Sequence, residues 1–201
     1  MIQTLFFDLG NTLIDFSEEK MWRQLSNVCE TSSTILKNII SGNHLWKDYE
    51  IGQISTDEFI EKIRFFTKTS FTNEDFIFAA SNIFSENLEM ADLIESLVHS
   101  GMTLGIISNT CPIHIDFIKE RYKLLEYFTH LILSYEVKMR KPDFQIYTHA
   151  LTKLNTSPKL SLFIDDLKEN IEGAEKLGIH SLHFKEPALL RKDLKKVGIT
   201  F

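Results

Sequence analysis

Five short, near-continuously apolar runs recur along the chain, and each stops at or close to a polar residue. They are Met1–Phe7, Met102–Ser108, His130–Ser134, Leu160–Asp165 and Ile179–Phe184. Runs of this length, rich in β-branched and aromatic residues and without polar alternation, are the mark of strands covered on both faces. Between them apolar residues fall at helical spacing: Met90, Leu93, Ile94, Leu97 and Val98 before the second run, then Phe144, Tyr147, Ala150, Leu151 and Leu154 before the fourth. Strand alternating with helix predicts an α/β fold with a parallel sheet. The hop from Asp165 through NIEGAEKLG to the fifth run forms a compact βαβ unit, with Gly178 just past the helix end.

The stretch from Phe16 to Asn87 breaks this alternation and offers helices only. Ser17 precedes an amphipathic run with Met21, Trp22, Leu25 and Val28. Ser55 and Glu58 form a capping box ahead of Phe59, Ile60, Ile63 and Phe66, and Thr72 with Asp75 marks another helix start. We therefore expect a core made of residues 1–15 and 88–201, with an all-helical cap, residues 16–87, inserted after the first strand as a lid over the sheet edge. With 201 residues and 43% hydrophobic content, the chain can fill a core of that size. Trp22, Trp46, Phe65 and Phe66 belong either to the cap core or to a dimer face; the cap core is the expectation, and oligomeric state stays open.

A net charge of −6 and a pI near 5.7 argue against a nucleic-acid surface, which needs clustered cations. Lys185, Arg191, Lys192, Lys195 and Lys196 near the C-terminus are interleaved with Leu189, Leu190, Leu194 and Val197, as on a solvated helix face. Cys29 and Cys111 are too few for a disulfide framework, and a structural role is expected for Cys111 despite the nearby His114. No apolar run approaches a membrane span, and the start of the chain lacks a basic and apolar leader, so the expected compartment is cytoplasmic.

Ligands of open parallel sheets bind outside the carboxyl ends of the strands. At those ends stand Asp8, then Ser108 and Asn109, then Arg140 and Lys141 shortly after the third run, then Asp165 and Asp166. Each has a plain structural reading as a capping Asp, a turn Ser-Asn or a solvated Arg-Lys. Together they suit phosphoryl chemistry. A carboxylate such as Asp8 can attack phosphorus. A hard cation held by Asp8, Asp165 and Asp166 can seat a dianionic phosphate beside it. Ser108 and Lys141 can hold phosphate oxygens and offset the developing charge.

With these residues in place, the chain resembles the haloacid dehalogenase superfamily, specifically its subfamily with a helical cap after the first strand. FFDLGNTL is similar to the nucleophile motif, IISNT to the Ser/Thr motif, KMRKPDFQIY to the Lys motif and LFIDDLKENIEGAEKLGI to the acidic motif. The resemblance covers essentially the whole chain and implies a Rossmann-like core. It implies that Asp8 is the nucleophile and a Mg²⁺ ligand, that the Gly10 carbonyl is a further ligand, and that Asp165 and Asp166 complete the metal site. It further implies that Ser108 and the Asn109 backbone amide bind phosphate while Lys141 neutralises it. The DLGN and RKP runs look most like a bacterial branch of sugar phosphatases acting on hexose phosphates such as α-glucose 1-phosphate.

One position departs from the pattern. Most phosphatases that the chain resembles carry a second Asp where this one has Gly10, and that Asp protonates the leaving oxygen and later activates water. A positioned acid/base contributes about 10²–10⁴-fold, so its absence should slow turnover without removing metal or phosphate binding. Asp15 and Glu50 are candidate substitutes. The expected function is Mg²⁺-dependent hydrolysis of a small phosphorylated metabolite through an aspartyl-phosphate. The alternatives are a catalytically weak phosphate-binding regulator and, against the evidence of the two adjacent acids, a 2-haloacid dehalogenase.

Overall fold

The computed structural model describes residues 2–201; Met1, where the first apolar run begins, lies outside the described residues. β1 (Thr4–Phe7) is followed by β2 (Ile14–Phe16), five helices α1 (Glu18–Val28), α2 (Ser33–Gly42), α3 (Leu45–Glu50), α4 (Thr56–Thr67) and α5 (Asn73–Ser81), and β3 (Phe84–Glu86). The rest alternates: α6 (Leu88–His99), β4 (Thr103–Ser108), α7 (Pro112–Arg121), β5 (His130–Leu133), a single turn α8 (Ser134–Val137), α9 (Phe144–Lys153), β6 (Ser161–Asp165), α10 (Lys168–Glu175), β7 (His180–His183) and α11 (Pro187–Lys196).

Each of the five apolar runs supplies one strand of a sheet ordered β5-β4-β1-β6-β7, with every neighbouring pair parallel. The runs are apolar throughout because both faces are covered. Leu5, Phe7, Leu104, Ile106, Leu162 and Ile164 pack on one side with residues of α6, α7 and α11. Phe6, Ile107 and Phe163 pack on the other with Ile146, Tyr147, Ala150, Ile171 and Ala174 of α9 and α10. Phe6 has no exposed surface, so its truncation to Ala should cost about 3–5 kcal/mol. Gly178 closes α10 with φ +79°, its N–H donating to Glu175 O. Two residues of the expected helical stripes face outward: Phe144 at the start of α9 is 59% exposed, and Val98 near the end of α6 is also exposed.

The chain leaves β1, runs to β4 and β5 on one side, then returns to place β6 on the other side of β1. The reversal sets the switch point between β1 and β6, at the ends that carry Asp8 and Asp165.

α1 to α5 form a separate apolar cluster around Leu25, Leu36, Tyr49, Phe59, Ile63 and Phe76. Ser17, Ser55 and Thr72 cap α1, α4 and α5 as expected, and the Ser55–Glu58 capping box closes in both directions. The stretch is not helical throughout, however. Ile14–Phe16 and Phe84–Glu86 pair antiparallel where the helices join the sheet, so Phe16 and residues 84–86 of the expected all-helical block lie in strands. Strands of three residues are too short to show alternation, and their ladder depends on a partner distant in sequence. Trp22 and Trp46 pack against the helical cluster, whereas Phe65 and Phe66 are exposed. Near the C-terminus Leu190 and Leu194 are buried while Lys192, Lys195 and Lys196 face solvent. Among the described residues no helix is long and apolar enough to cross a membrane.

Candidate active site

β1 delivers Asp8 to the carboxyl edge of the sheet, where its N–H donates to Ile164 O at 2.8 Å. β6 delivers Asp165 beside it. Lys141, from the segment between α8 and α9, places Nζ between the two, 2.5 Å from Asp8 Oδ1 and 2.7 Å from Asp165 Oδ2. All three side chains are buried, so these charge-assisted bonds sit in a medium that strengthens them and penalises any unpaired member.

Two asparagines hold this cluster. Asn109 Oδ1 accepts from the Lys141 N–H at 2.8 Å and Asn109 Nδ2 donates to the Lys141 carbonyl at 3.0 Å, clamping the Lys141 backbone from the end of β4. Asn170 Nδ2 donates to both oxygens of Asp165 at 3.0 Å, and the Leu167 N–H adds a third bond at 2.8 Å. Tyr147 in turn donates to Asn170 O. The expected phosphate contact of Asn109 is its main-chain N–H, and the side chain's engagement with Lys141 is compatible with that. The Asn109 clamp joins residues far apart in sequence, so no local pattern announces it, whereas Leu167 and Asn170 follow Asp165 within the acidic run.

Burial raises the pKa of Asp8 above the ordinary carboxylate range; Lys141 opposes this and Asp165 reinforces it. Asp166, half-buried, is raised by burial first and by Asp165 second. For Lys141, burial disfavours the charge, but Asp8 and Asp165 outweigh it and raise its pKa. One ammonium therefore faces three carboxylates. Oxygens of Asp8, Asp165 and Asp166 lie within 4.8 Å of one another, a hard-donor set that fits a divalent cation such as Mg²⁺.

Asp8, Gly10, Asn109, Lys141 and Asp166 line a cleft of about 610 Å³. An adjoining compartment of about 450 Å³, which includes Ser108, shares with it Gly10, Phe16, Ile40, Trp46, Glu50 and Asn109. Gly10 has a close neighbour: a Cβ there would meet Phe16 Cε1 at 2.9 Å, so the Phe16 ring fills the space that a side chain would take. Of the two substitute acids, Asp15 is exposed on β2 opposite Ser85 and lines neither compartment. Glu50 lines both. Its carboxylate accepts from Trp46 Nε1 at 3.0 Å and lies 3.5 Å from Arg140 Nη2. Burial raises its pKa, with Arg140 opposing. Cys111 is buried, with its thiol pKa driven up by burial, and the pKa of His114 is pushed down to about 4 by the same cause, which leaves no thiolate nucleophile there.

Residues 5–184 match the family model described as haloacid dehalogenase-like hydrolase. The chain belongs to this family. Among the relatives of this haloacid dehalogenase-like hydrolase is the D-ribitol-5-phosphate phosphatase of Bacteroides thetaiotaomicron, 25% identical, with 96% of this chain and 97% of the relative covered. Flavin mononucleotide hydrolase 1 of Arabidopsis thaliana is 26% identical over 82% of this chain and 67% of its own length. A solved enzyme of the family from Bacteroides thetaiotaomicron, in complex with magnesium and inorganic phosphate, superposes with a TM-score of 0.82 at 26% identity, covering 92% of this chain and 95% of that one.

Proposed function

We propose that this hydrolase is a Mg²⁺-dependent phosphatase that cleaves a small phosphorylated metabolite through an aspartyl-phosphate at Asp8. The observation that carries the reading is the Lys141 ammonium set between Asp8 and Asp165, with Asp166 completing a three-carboxylate cluster. In this reading Asp8, Asp165, Asp166 and the Gly10 carbonyl hold Mg²⁺, which when bound supplies positive charge against the phosphate. Ser108 and the Asn109 N–H bind phosphoryl oxygens, and Lys141 balances the charge beside Asp8. An Asp8 oxygen attacks phosphorus, the P–O bond to the leaving alcohol breaks, and water then attacks the acyl phosphate to regenerate Asp8 and release phosphate. Glu50, at the junction of the two compartments with a raised pKa, provides the proton to the leaving oxygen that Gly10 lacks the means to give. The helices α1 to α5 act as the cap that selects the leaving group.

The ribitol-phosphate relative favours a sugar phosphate and the flavin mononucleotide relative an alkyl ester that carries a large aromatic ring, so the choice between them falls to the compartment that receives the leaving alcohol. The two adjacent acids, Asp165 and Asp166, weigh against a dehalogenase. Release of phosphate from p-nitrophenyl phosphate, with Mg²⁺ and with EDTA, tests the reading. Metal-dependent turnover is expected. Halide release from a 2-haloacid without metal would replace it with a dehalogenase, and intact phosphate binding without turnover of any ester would leave a sensor.

A further inference from the structure

The 450 Å³ compartment beside the phosphate cleft lies within the range of small-molecule pockets. Its apolar walls include Met21 and Trp22 of α1, Ile40 of α2, Trp46 of α3, and Phe16 and Phe84 of β2 and β3, closed on the core side by Ser108 of β4, by Thr110 just after it and by His114 of α7. It is continuous with the cleft, because Gly10, Phe16, Ile40, Trp46 and Glu50 line both. An ester whose phosphate sits at Asp8 and Lys141 therefore extends its alcohol portion past Gly10 into this space.

Three polar side chains along the aromatic part of these walls are already engaged, while Glu18, Ser108 and Thr110 also line the compartment. Trp46 Nε1 donates to Glu50, His114 Nε2 donates to Ala80 O, and Ser41 Oγ donates to Lys37 O. The Lys37 ammonium lies over the Trp22 ring, 5.3 Å from its centroid. His114 is neutral above about pH 4 and packs against the rings of Trp46 and Phe84. A polyol lying against Trp22, Trp46, Phe16 and Phe84 would bury hydroxyls with few partners, which is costly; a hydrocarbon or aromatic body would gain contact instead.

Resting on the phosphatase reading above, we propose that the compartment takes the apolar body of the leaving alcohol, so that the substrate is a phosphate monoester of an amphipathic alcohol, alkyl or aromatic, and not of a sugar. The phosphate end is read by charge and the far end by apolar area. Phe16, filling the space beside Gly10, carries the apolar wall up to the reacting centre.

The test is a series of methyl, butyl, hexyl and octyl phosphates set against ribitol 5-phosphate and glucose 6-phosphate, all with Mg²⁺. kcat/KM should rise along the alkyl series, by up to about fourfold per methylene while the chain still enters the compartment, and hexyl phosphate should exceed both sugar phosphates. Trp22→Ala should flatten that slope. A slope of zero, or a sugar phosphate preferred over hexyl phosphate, overturns the proposal. Equilibrium binding of the same alkyl phosphates to the Asp8→Asn protein separates this from failure of the phosphatase reading. If nothing is hydrolysed but affinity still grows with chain length, the compartment stands and the catalytic reading falls; if affinity is also flat, both fall.

Discussion

At the strand ends the three buried charges have partners from other elements: Lys141 reaches Asp8 and Asp165, and Asn170 and the Leu167 N–H complete Asp165. Across the same cleft the helical layer presents aromatic and aliphatic walls and two carboxylates, Glu18 and Glu50, the latter held by one indole N–H and a 3.5 Å approach of Arg140. The difference lies in tolerance. A charge cluster buried at strand ends admits almost no substitution, because each loss strands a buried charge. An apolar wall responds to substitution in graded steps, set by area and shape. Chemistry should therefore be brittle on the sheet side, and selectivity adjustable on the helical side.

The largest expected effect is on the brittle side. Asp8→Asn, nearly isosteric, should lower turnover by about 10⁴-fold or more while circular dichroism shows the fold intact. Substantial activity in the purified, metal-saturated variant would break the contrast outright.

Lys141→Met should destabilise the protein by about 3–5 kcal/mol in urea titrations, since Asp8 and Asp165 lose the cation between them. The loss should shrink as pH falls and the stranded carboxylates take up protons. An equal loss at all pH values would mean that packing, not charge, is what Lys141 contributes.

Metal and pH act on the same cluster. Asp8, Asp166 and Glu50 all have folded-state pKa values raised by burial. Such acids hold their protons more tightly when folded, so their contribution to stability is greatest at low pH. It falls as pH rises from the ordinary carboxylate range near 4 through the raised values. The metal-free protein should lose melting temperature over that window. Mg²⁺ at about 100 times its Kd should restore about 2.7 kcal/mol, with the gain growing as pH rises. A Mg²⁺ effect independent of pH would remove these carboxylates as its site.

On the helical side, Glu50→Gln should cost about 10- to 100-fold on alkyl phosphates and little on aryl or acyl phosphates, whose leaving oxygens need little protonation. Asp15→Asn, at an exposed position, should change neither. An equal loss on all esters would make Glu50 a structural anchor of α3 and leave the proton without a donor.

The smallest effect sharpens the contrast at its boundary. Gly10→Asp places a Cβ 2.9 Å from the Phe16 ring, so the single variant should lose about 1–3 kcal/mol of stability and gain no activity. Adding Phe16→Ala should recover stability and let the new carboxylate raise alkyl phosphate turnover. A gain from Gly10→Asp alone would show that the Phe16 ring moves aside freely.

Much of this was legible in the sequence, for a physical reason. Both faces of the sheet are covered, so its strands announce themselves as apolar runs, and the site lies where those runs stop; Asp8, Ser108, Asp165 and Asp166 follow directly from that. Lys141 was found by charge and spacing, and the capping residues of α1, α4 and α5 by local hydrogen-bond chemistry. The parts that escaped depend on distant partners. The antiparallel pair β2 and β3 has three residues on each side, the Asn109 clamp spans β4 to the Lys141 segment, and the filling of the space at Gly10 depends on how the Phe16 ring turns. Ser134 was read only as the end of a strand, whereas its hydroxyl donates to the Glu50 carbonyl and accepts from the Thr110 N–H.

The β2–β3 pair brings together the two points at which the helical layer joins the sheet, with Ile14 opposite Glu86 and Phe16 opposite Phe84. Insertion at adjacent points leaves the register of the main sheet untouched, so the layer can be exchanged as a cassette while the strand-end chemistry stays in place. Any replacement must still meet α7, where Ser81 donates to Ile113 O and His114 to Ala80 O, and the seam after α3. Gly52, at φ +62°, lies so close to Tyr135 that a Cβ would fall 2.2 Å from its carbonyl oxygen, and Ser134 needs a carbonyl where Glu50 now offers one. A transplanted cassette that ends on the β2–β3 ribbon and keeps a glycine and a carbonyl at that seam should bring its own choice of alcohol to an unchanged reaction.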